Sequence, residues 1–167
     1  MRVLLLLFTG GAAVALHAAT RGHLHLPGHQ GFFWMALIGF MRGATGGRWS
    51  ASIAGVGAGG AAALPIFNFH DPIGVAAYAI SGIAFDVLVN LTPEIRYRSL
   101  RAGALAALAF ATKPLLQAFA TITLGWQTPV ARQGLVYPLA LHLAFGFAGG
   151  LVGTWLWTRV TKSRKIS

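Results

Sequence analysis

The sequence predicts an all-α, polytopic membrane protein: a six-helix transmembrane bundle forming one domain, with both termini in the cytoplasm. Three observations carry that prediction. Of 167 residues, 56% are hydrophobic and only 10% charged, whereas a soluble domain carries about 25% charged residues. The apolar residues gather into runs, and a helix needs about 17 to 25 such residues to cross a hydrocarbon layer. The basic residues, in turn, sort to alternate breaks between the runs, as the positive-inside bias requires.

The first run, 3–19, is uncharged apart from His17. Its start shares the layout of a cleavable signal peptide, but the run is longer than a signal core, and His17 interrupts the small-x-small site that Ala15 to Ala19 would offer. The second, 31–47, is the weakest, because Arg42 follows directly on the apolar stretch Gly31 to Met41. By length alone it reads as a half-span. It is counted as a crossing because Arg42 can snorkel, with Gly43 to Gly47 extending it into the headgroups. The third run, 49–67, is uncharged, and the fourth, 73–91, holds only Asp86. The fifth, 102–124, contains Lys113 and then Pro114, which should kink the helix and release the carbonyl of Phe110. The sixth, 135–158, holds only His142.

Charge decides in favour of six crossings. With six, Arg2, Arg42, Arg48, Arg96, Arg98, Arg101, Arg159, Lys162, Arg164 and Lys165 fall on one side, against Arg21 and Arg132 on the other, ten to two. Were 31–47 not to cross, Arg96, Arg98 and Arg101 would move opposite the basic tail and the asymmetry would collapse. The cationic side is the cytoplasmic one, which places the chain in a cell inner (plasma) membrane with both ends inside.

Membrane helices associate through close backbone approach at small residues, and 22 glycines supply them. Gly11, Ala15 and Ala19 form one row of period four. Ala51, Gly55, Gly59 and Ala63 form a second, Gly103, Ala107 and Ala111 a third, and Gly146 with Gly150 and Gly149 with Gly153 two more. Packing within the bundle accounts for most such rows. The row on the first, terminal helix is available to another membrane subunit. Trp34, Trp49, Trp126, Trp155 and Trp157 fall near segment ends, as interfacial belt residues do.

The same composition excludes much chemistry. There is no cysteine, hence no disulfide, thiolate metal site or iron–sulfur cluster. With three acidic residues, paired-carboxylate catalysis and oxygen-rich cation cages have almost no material. Ser50, Ser52 and Ser81 lack a matched His–Asp arrangement, and no phosphate-loop or H-E-x-x-H pattern occurs, so the chain reads as a non-enzyme. No cofactor is required, although a bound vitamin or transition metal is compatible with the histidines.

What remains points outward. The first external loop carries His23, His25 and His29, and His70 with Asp71 follows in the next one. The i, i+2 spacing of His23 and His25, with His29 returning after Pro27-Gly28, suits a transition metal held by His23, His25, His29 and His70. It equally suits hydrogen bonding to an organic ligand, or solvated loop histidines. Trp34, Trp126 and Gln127 add walls to that face. Within the spans, Lys113 and Asp86 each cost roughly 2.5 to 3.5 kcal/mol near a helix centre, so neither should face lipid. They can pair with each other. Alternatively, Lys113, lying above Asp86 and nearer the histidine face, meets an anionic ligand group; a proton relay through His142, Lys113 and Asp86 is a further arrangement. Interhelical hydrogen bonds are the simpler roles for His17 and His142.

Six short spans, both termini inside, the small-residue stripe on the first helix and the external polar face resemble the substrate-binding S component of energy-coupling-factor (ECF) transporters. The segment LPGHQGFFWMALIGF, residues 26–40, is similar to the loop and second helix of some members. The resemblance covers the whole chain in layout. It implies uptake of a vitamin-like small molecule together with a transmembrane coupling subunit and ATPase subunits. It also implies that Gly11, Ala15 and Ala19 meet the coupling subunit, and that His23, His25, His29, His70, Trp126 and Gln127 close over the substrate. The chain departs from the cobalt and nickel members in lacking their amino-terminal Met-His pattern, which argues against a metal cargo. Two other classes fit the same layout: a non-transporting six-span scaffold docked on a larger membrane complex, and a metal-ion or ion-coupled small transporter acting as an oligomer.

Overall fold

The structure is a computed structural model that describes residues 1–20, 27–67, 69, 71–92 and 99–163. Among the described residues the chain is all-helical: α1 (Arg2–Thr20), α2 (Gln30–Thr45), α3 (Ser50–Ala62), α4 (Pro72–Leu91), α5 (Ser99–Leu124), a short α6 (Pro129–Gln133) and α7 (Val136–Ser163), with one 3-10 turn at Pro65–Phe67. Four of these, α1, α4, α5 and α7, are long and apolar enough to cross a membrane.

The two remaining long elements are shorter than the apolar runs that encode them, for local reasons. α2 stops at Thr45 because Gly46 takes up the left-handed conformation, φ 63°, and donates its N–H back to the carbonyl of Arg42. α3 ends at Ala62, just before Leu64-Pro65, where the missing proline donor diverts the chain into the 3-10 turn. At 16 and 13 residues, α2 and α3 extend about 24 and 20 Å. α4 opens on a cap that the sequence spells out: the Asp71 carboxylate accepts the N–H of Ile73 at 3.0 Å, and Pro72 occupies the first turn, where its lost donor costs nothing. α5 is helical on both sides of Pro114.

The six longer helices close into a ring in which α1 packs on α3, α3 on α4, α4 on α5, α5 on α7 and α7 on α2, with α2 also touching α1, α3 and α5. Glycines set these contacts and reveal the helix directions. Gly10 abuts Ala54 and Ala58 while Gly11 faces Ala61, so α1 and α3 run parallel. Gly55 lies against Tyr78 and Gly59 against Val75, making α3 and α4 antiparallel. Gly146 and Gly150 press on Ala107 and Ala102 of α5, antiparallel again, while Gly149 and Gly153 press on Phe32 and Ala36 of α2, which is parallel to α7. The six helices therefore alternate in direction along the chain.

Both α7 rows expected from the sequence are thus internal contacts, and so is most of the α3 row. On α1 the backbone contact with α3 is made by Gly10, which is buried, and not by the noted row: Gly11 is half-buried, while Ala15 and Ala19 are exposed. The core is centred on α2, whose Trp34, Met35 and Ile38 are sealed from solvent, together with Ala54 and Ala58 of α3 and Phe85 of α4.

Three expectations are corrected here. Trp34 is not an interfacial or ligand-facing residue: it is 2% exposed, donates its indole N–H to Ser81 Oγ at 3.0 Å and meets the Tyr78 ring edge-on. Arg42 does not snorkel. It is buried and forms an ion pair with Asp86, while its other amino group donates to Asn90 Oδ1 at 2.6 Å. Asp86, fully buried, also accepts from the backbone N–H of Ser52 at 2.7 Å and from its hydroxyl at 2.8 Å. Asp86 therefore belongs to Arg42 and not to Lys113. The ends of α2 and α4 meet at one end of the bundle, whereas Lys113 reaches a cavity at the other, so a relay linking Asp86 to Lys113 and His142 is not assembled.

Candidate ligand-binding site

At the end of the bundle opposite the Arg42–Asp86 pair, the helices splay around a cavity of about 310 Å³. Its walls include His17 from α1, Pro27 to Gln30 leading into α2, Phe69 and Asp71 before α4, Tyr78 within α4, Lys113 and Gln117 on α5, Gln133 on α6, and Pro138 and His142 on α7. Helical spacing explains the convergence. Lys113 with Gln117, and Pro138 with His142, are i, i+4 pairs on one helix face, and Gly74 with Tyr78 is a third. Small-molecule sites fall in the range of about 300 to 1,000 Å³ and combine apolar walls with a few placed polar groups, which this cavity matches.

The polar groups are held by neighbours. Asp71, fixed by its capping bond to Ile73, also accepts from Gln117 Nε2 at 3.3 Å, so the carboxylate is braced between α4 and α5. The Gln117 backbone carbonyl in turn accepts from the Thr128 hydroxyl at 3.4 Å, tying α5 to the segment before α6. Nδ1 of His17 and the Tyr78 hydroxyl share a hydrogen bond of 2.5 Å, linking α1 to α4. The His17 ring packs beside Phe69, at 5.1 Å, and edge-on to His29, at 6.3 Å. His17 thus makes the interhelical bond the sequence favoured, and it makes it at the cavity wall.

His142 is placed differently from that expectation, since its hydrogen bond stays within its own helix: Nδ1 donates to the Pro138 carbonyl at 2.7 Å. The ring is stacked on Phe110 with centroids 4.8 Å apart. Gly28, at φ +78°, passes over it so closely that a Cβ there would lie 2.8 Å from Nδ1. Only glycine suits both the left-handed backbone and that approach. The imidazole is therefore packed against both Phe110 and Gly28, 3% exposed, with Nε2 lacking a hydrogen-bond partner among the described residues.

Of the residues the sequence nominated, His29, Asp71, Lys113 and His142 come together here. Trp126 and Gln127 line an adjoining cleft that shares Asp71 and Pro129 with the cavity. His23, His25 and His70 lie outside the described residues. Among the described residues no group of three histidines or carboxylates could hold a metal ion. Tyr78 and Gln117 were not nominated; their signal was the i, i+4 register with Gly74 and with Lys113, inside otherwise apolar spans.

Neither a family model, nor a curated protein, nor a solved structure matches this chain.

Proposed function

We propose that this chain is a membrane-embedded small-molecule-binding subunit, a six-span protein of the plasma membrane whose cavity opens to the outside and whose termini lie in the cytoplasm. The observation that carries the reading is the cavity itself. A half-buried lysine, a braced carboxylate, a glutamine amide and three imidazoles, drawn from α1, α5, α7 and the residues leading into α2 and α4, surround one space at the end of the bundle. Polar side chains are costly at membrane depth, and grouping them around a cavity is how membrane proteins accommodate a substrate. Sidedness follows from charge: Arg2, Arg42, Arg48, Arg101 and Arg159 gather at the far end, whereas Arg132 is next to the cavity. Four spans meet the length requirement outright. α2 and α3 complete the crossing in this reading because they alternate in direction with the others and are enclosed by them.

The side chains bind rather than react. Among the described residues the lining groups are engaged with one another, as in the His17–Tyr78 pair and the contact of Gln117 with Asp71, which supports capture as the function. The layout shared with S components extends the reading to a coupling subunit and ATPase subunits as partners, with the exposed Ala15 and Ala19 on α1 as the docking face and a vitamin-like molecule as the substrate. Mass spectrometry of the protein purified in mild detergent tests the core of this. A small organic molecule should be released from the wild type and be depleted from a Lys113→Met variant of equal thermal stability; equal amounts in both would remove the cavity from the account.

A further inference from the structure

α1 and α2 follow each other in the chain but close on other partners: α1 gives its Gly10 face to α3, and α2 gives the backbone of Phe32 and Ala36 to α7. Between them is left a groove of about 450 Å³ on the outside of the bundle. Ala12, Ala13 and Ala36 make the hollow, and Leu16, Phe33 and Leu156, each 42 to 48% exposed, stand around it. The polar residue in the lining, Thr9, already donates its hydroxyl to the Leu5 carbonyl at 2.7 Å, so the groove asks for an occupant that is apolar along its length. Two observations decide which. A second helix associates in a membrane where small residues let backbones approach; here bulky exposed side chains flank the alanines and hold a helix off, whereas a flexible chain can enter. The other observation is charge. Arg2 is exposed and lies on the groove face of α1, at i, i+7 spacing with Thr9 and Leu16. From Arg2 to Ala12 is ten residues, about 15 Å of helix, which is half of a hydrocarbon layer about 30 Å thick. A chain anchored at Arg2 therefore ends in the alanine hollow. That end of the bundle is also net positive among the described residues, with Arg2, Arg48, Arg101 and Arg159 beyond the Arg42–Asp86 pair, and the cytoplasmic leaflet is the one rich in anionic lipid.

We propose that this groove is a binding site for an anionic glycerophospholipid of the cytoplasmic leaflet, with one acyl chain along Thr9, Ala12 and Ala13 of α1 and Leu37 and Phe40 of α2, and the phosphate at Arg2. The inference rests on the membrane orientation proposed above and goes beyond it, since the groove shares no lining residue with the polar cavity.

Phosphatidylglycerol and phosphatidylcholine with identical chains, each carrying a photoreactive diazirine at mid-chain, test it. Either lipid is added below one equivalent to the full-length protein in mild detergent and illuminated, and the modified residues are mapped by mass spectrometry. Phosphatidylglycerol should label Thr9 to Ala13 and Leu37 to Phe40 about fivefold more than phosphatidylcholine does, the scale of one basic residue beside an anionic headgroup. Arg2→Gln should bring that ratio to within about twofold, while Arg101→Gln, exposed at the same end but on α5, should leave it unchanged. Ala12→Phe should remove groove labelling by both lipids; should that variant fail to fold, the comparison of the two exposed arginines decides the matter. Groove labelling no stronger than that of Phe119 and Ile122, which are exposed on α5, overturns the site, because a lipid merely surrounding the protein labels both alike. A groove that stays unlabelled in the wild type, as one filled by a helix of another subunit would, overturns it too. Equal labelling by the two lipids, or a ratio that Arg2→Gln does not move, overturns the headgroup assignment. If the site fails while a small molecule still co-purifies with the protein, the lipid inference alone is wrong; if nothing co-purifies either, the proposed function falls with it.

Discussion

Asp86 illustrates how a single costly residue organises its surroundings. Burying a carboxylate is tolerable only when its charge and lone pairs are met, and here Arg42 and both donors of Ser52 meet them, while Arg42 also donates to the Arg48 carbonyl and to Asn90. The cluster ties α2, α3 and α4 together. Replacing Asp86 by Asn strands a buried guanidinium and should lower stability by about 3 to 5 kcal/mol, seen as a large drop in the melting temperature of the detergent-solubilised protein. The double variant Arg42→Met, Asp86→Leu should recover most of that loss; a single variant as stable as wild type would mean that the pair is not formed. Sequence reasoning recognised that Asp86 and Lys113 must avoid lipid, but not that Arg42 was the partner. Arg42 stands at the end of an apolar run, where snorkelling is the default, and its pairing with a carboxylate 44 residues away is a property of how helices meet.

Helices here meet through glycine, and the rows of period four were legible for that reason. On α7 alternate rows face opposite neighbours, Gly146 and Gly150 toward α5, Gly149 and Gly153 toward α2. On α1 the small residues Gly10, Gly11, Ala12 and Ala13 follow one another, so spacing alone does not say which points inward; packing selects Gly10. Two substitutions on this helix should therefore differ in kind. Gly10→Leu would drive a side chain into the α3 backbone, where an added Cβ alone would lie 2.7 Å from the Ala58 nitrogen, and should unfold or greatly destabilise the bundle by overpacking. Ala15→Leu, on the exposed face, should leave the melting temperature unchanged but reduce co-purification of partner subunits; loss of stability there would show that this face is internal. Element ends were less legible than element cores. The left-handed turn at Gly46 and the break at Pro65 shorten α2 and α3 within runs that composition alone reads as continuous.

For the whole molecule, the two ends have opposite characters: an arginine-rich end fastened by the Arg42–Asp86 cluster, and an open end with a polar cavity. That polarity was legible in the distribution of basic residues, and part of the cavity was legible because Lys113 and His142 stand out against apolar helices. Tyr78 and Gln117 were hidden because such residues are common on helices and acquire meaning only once the directions of α4 and α5 bring their faces together. The direction in which the cavity opens is the claim on which the function depends, and the absence of cysteine from the chain makes it directly measurable. A single cysteine is introduced at Gln133, exposed at the cavity end, or at Arg101, exposed near the start of α5, and intact cells are treated with a membrane-impermeant maleimide. Gln133→Cys should be labelled at once and Arg101→Cys only after the membrane is permeabilised. Labelling of Arg101→Cys in intact cells, with Gln133→Cys protected, would contradict the outward-facing binding site.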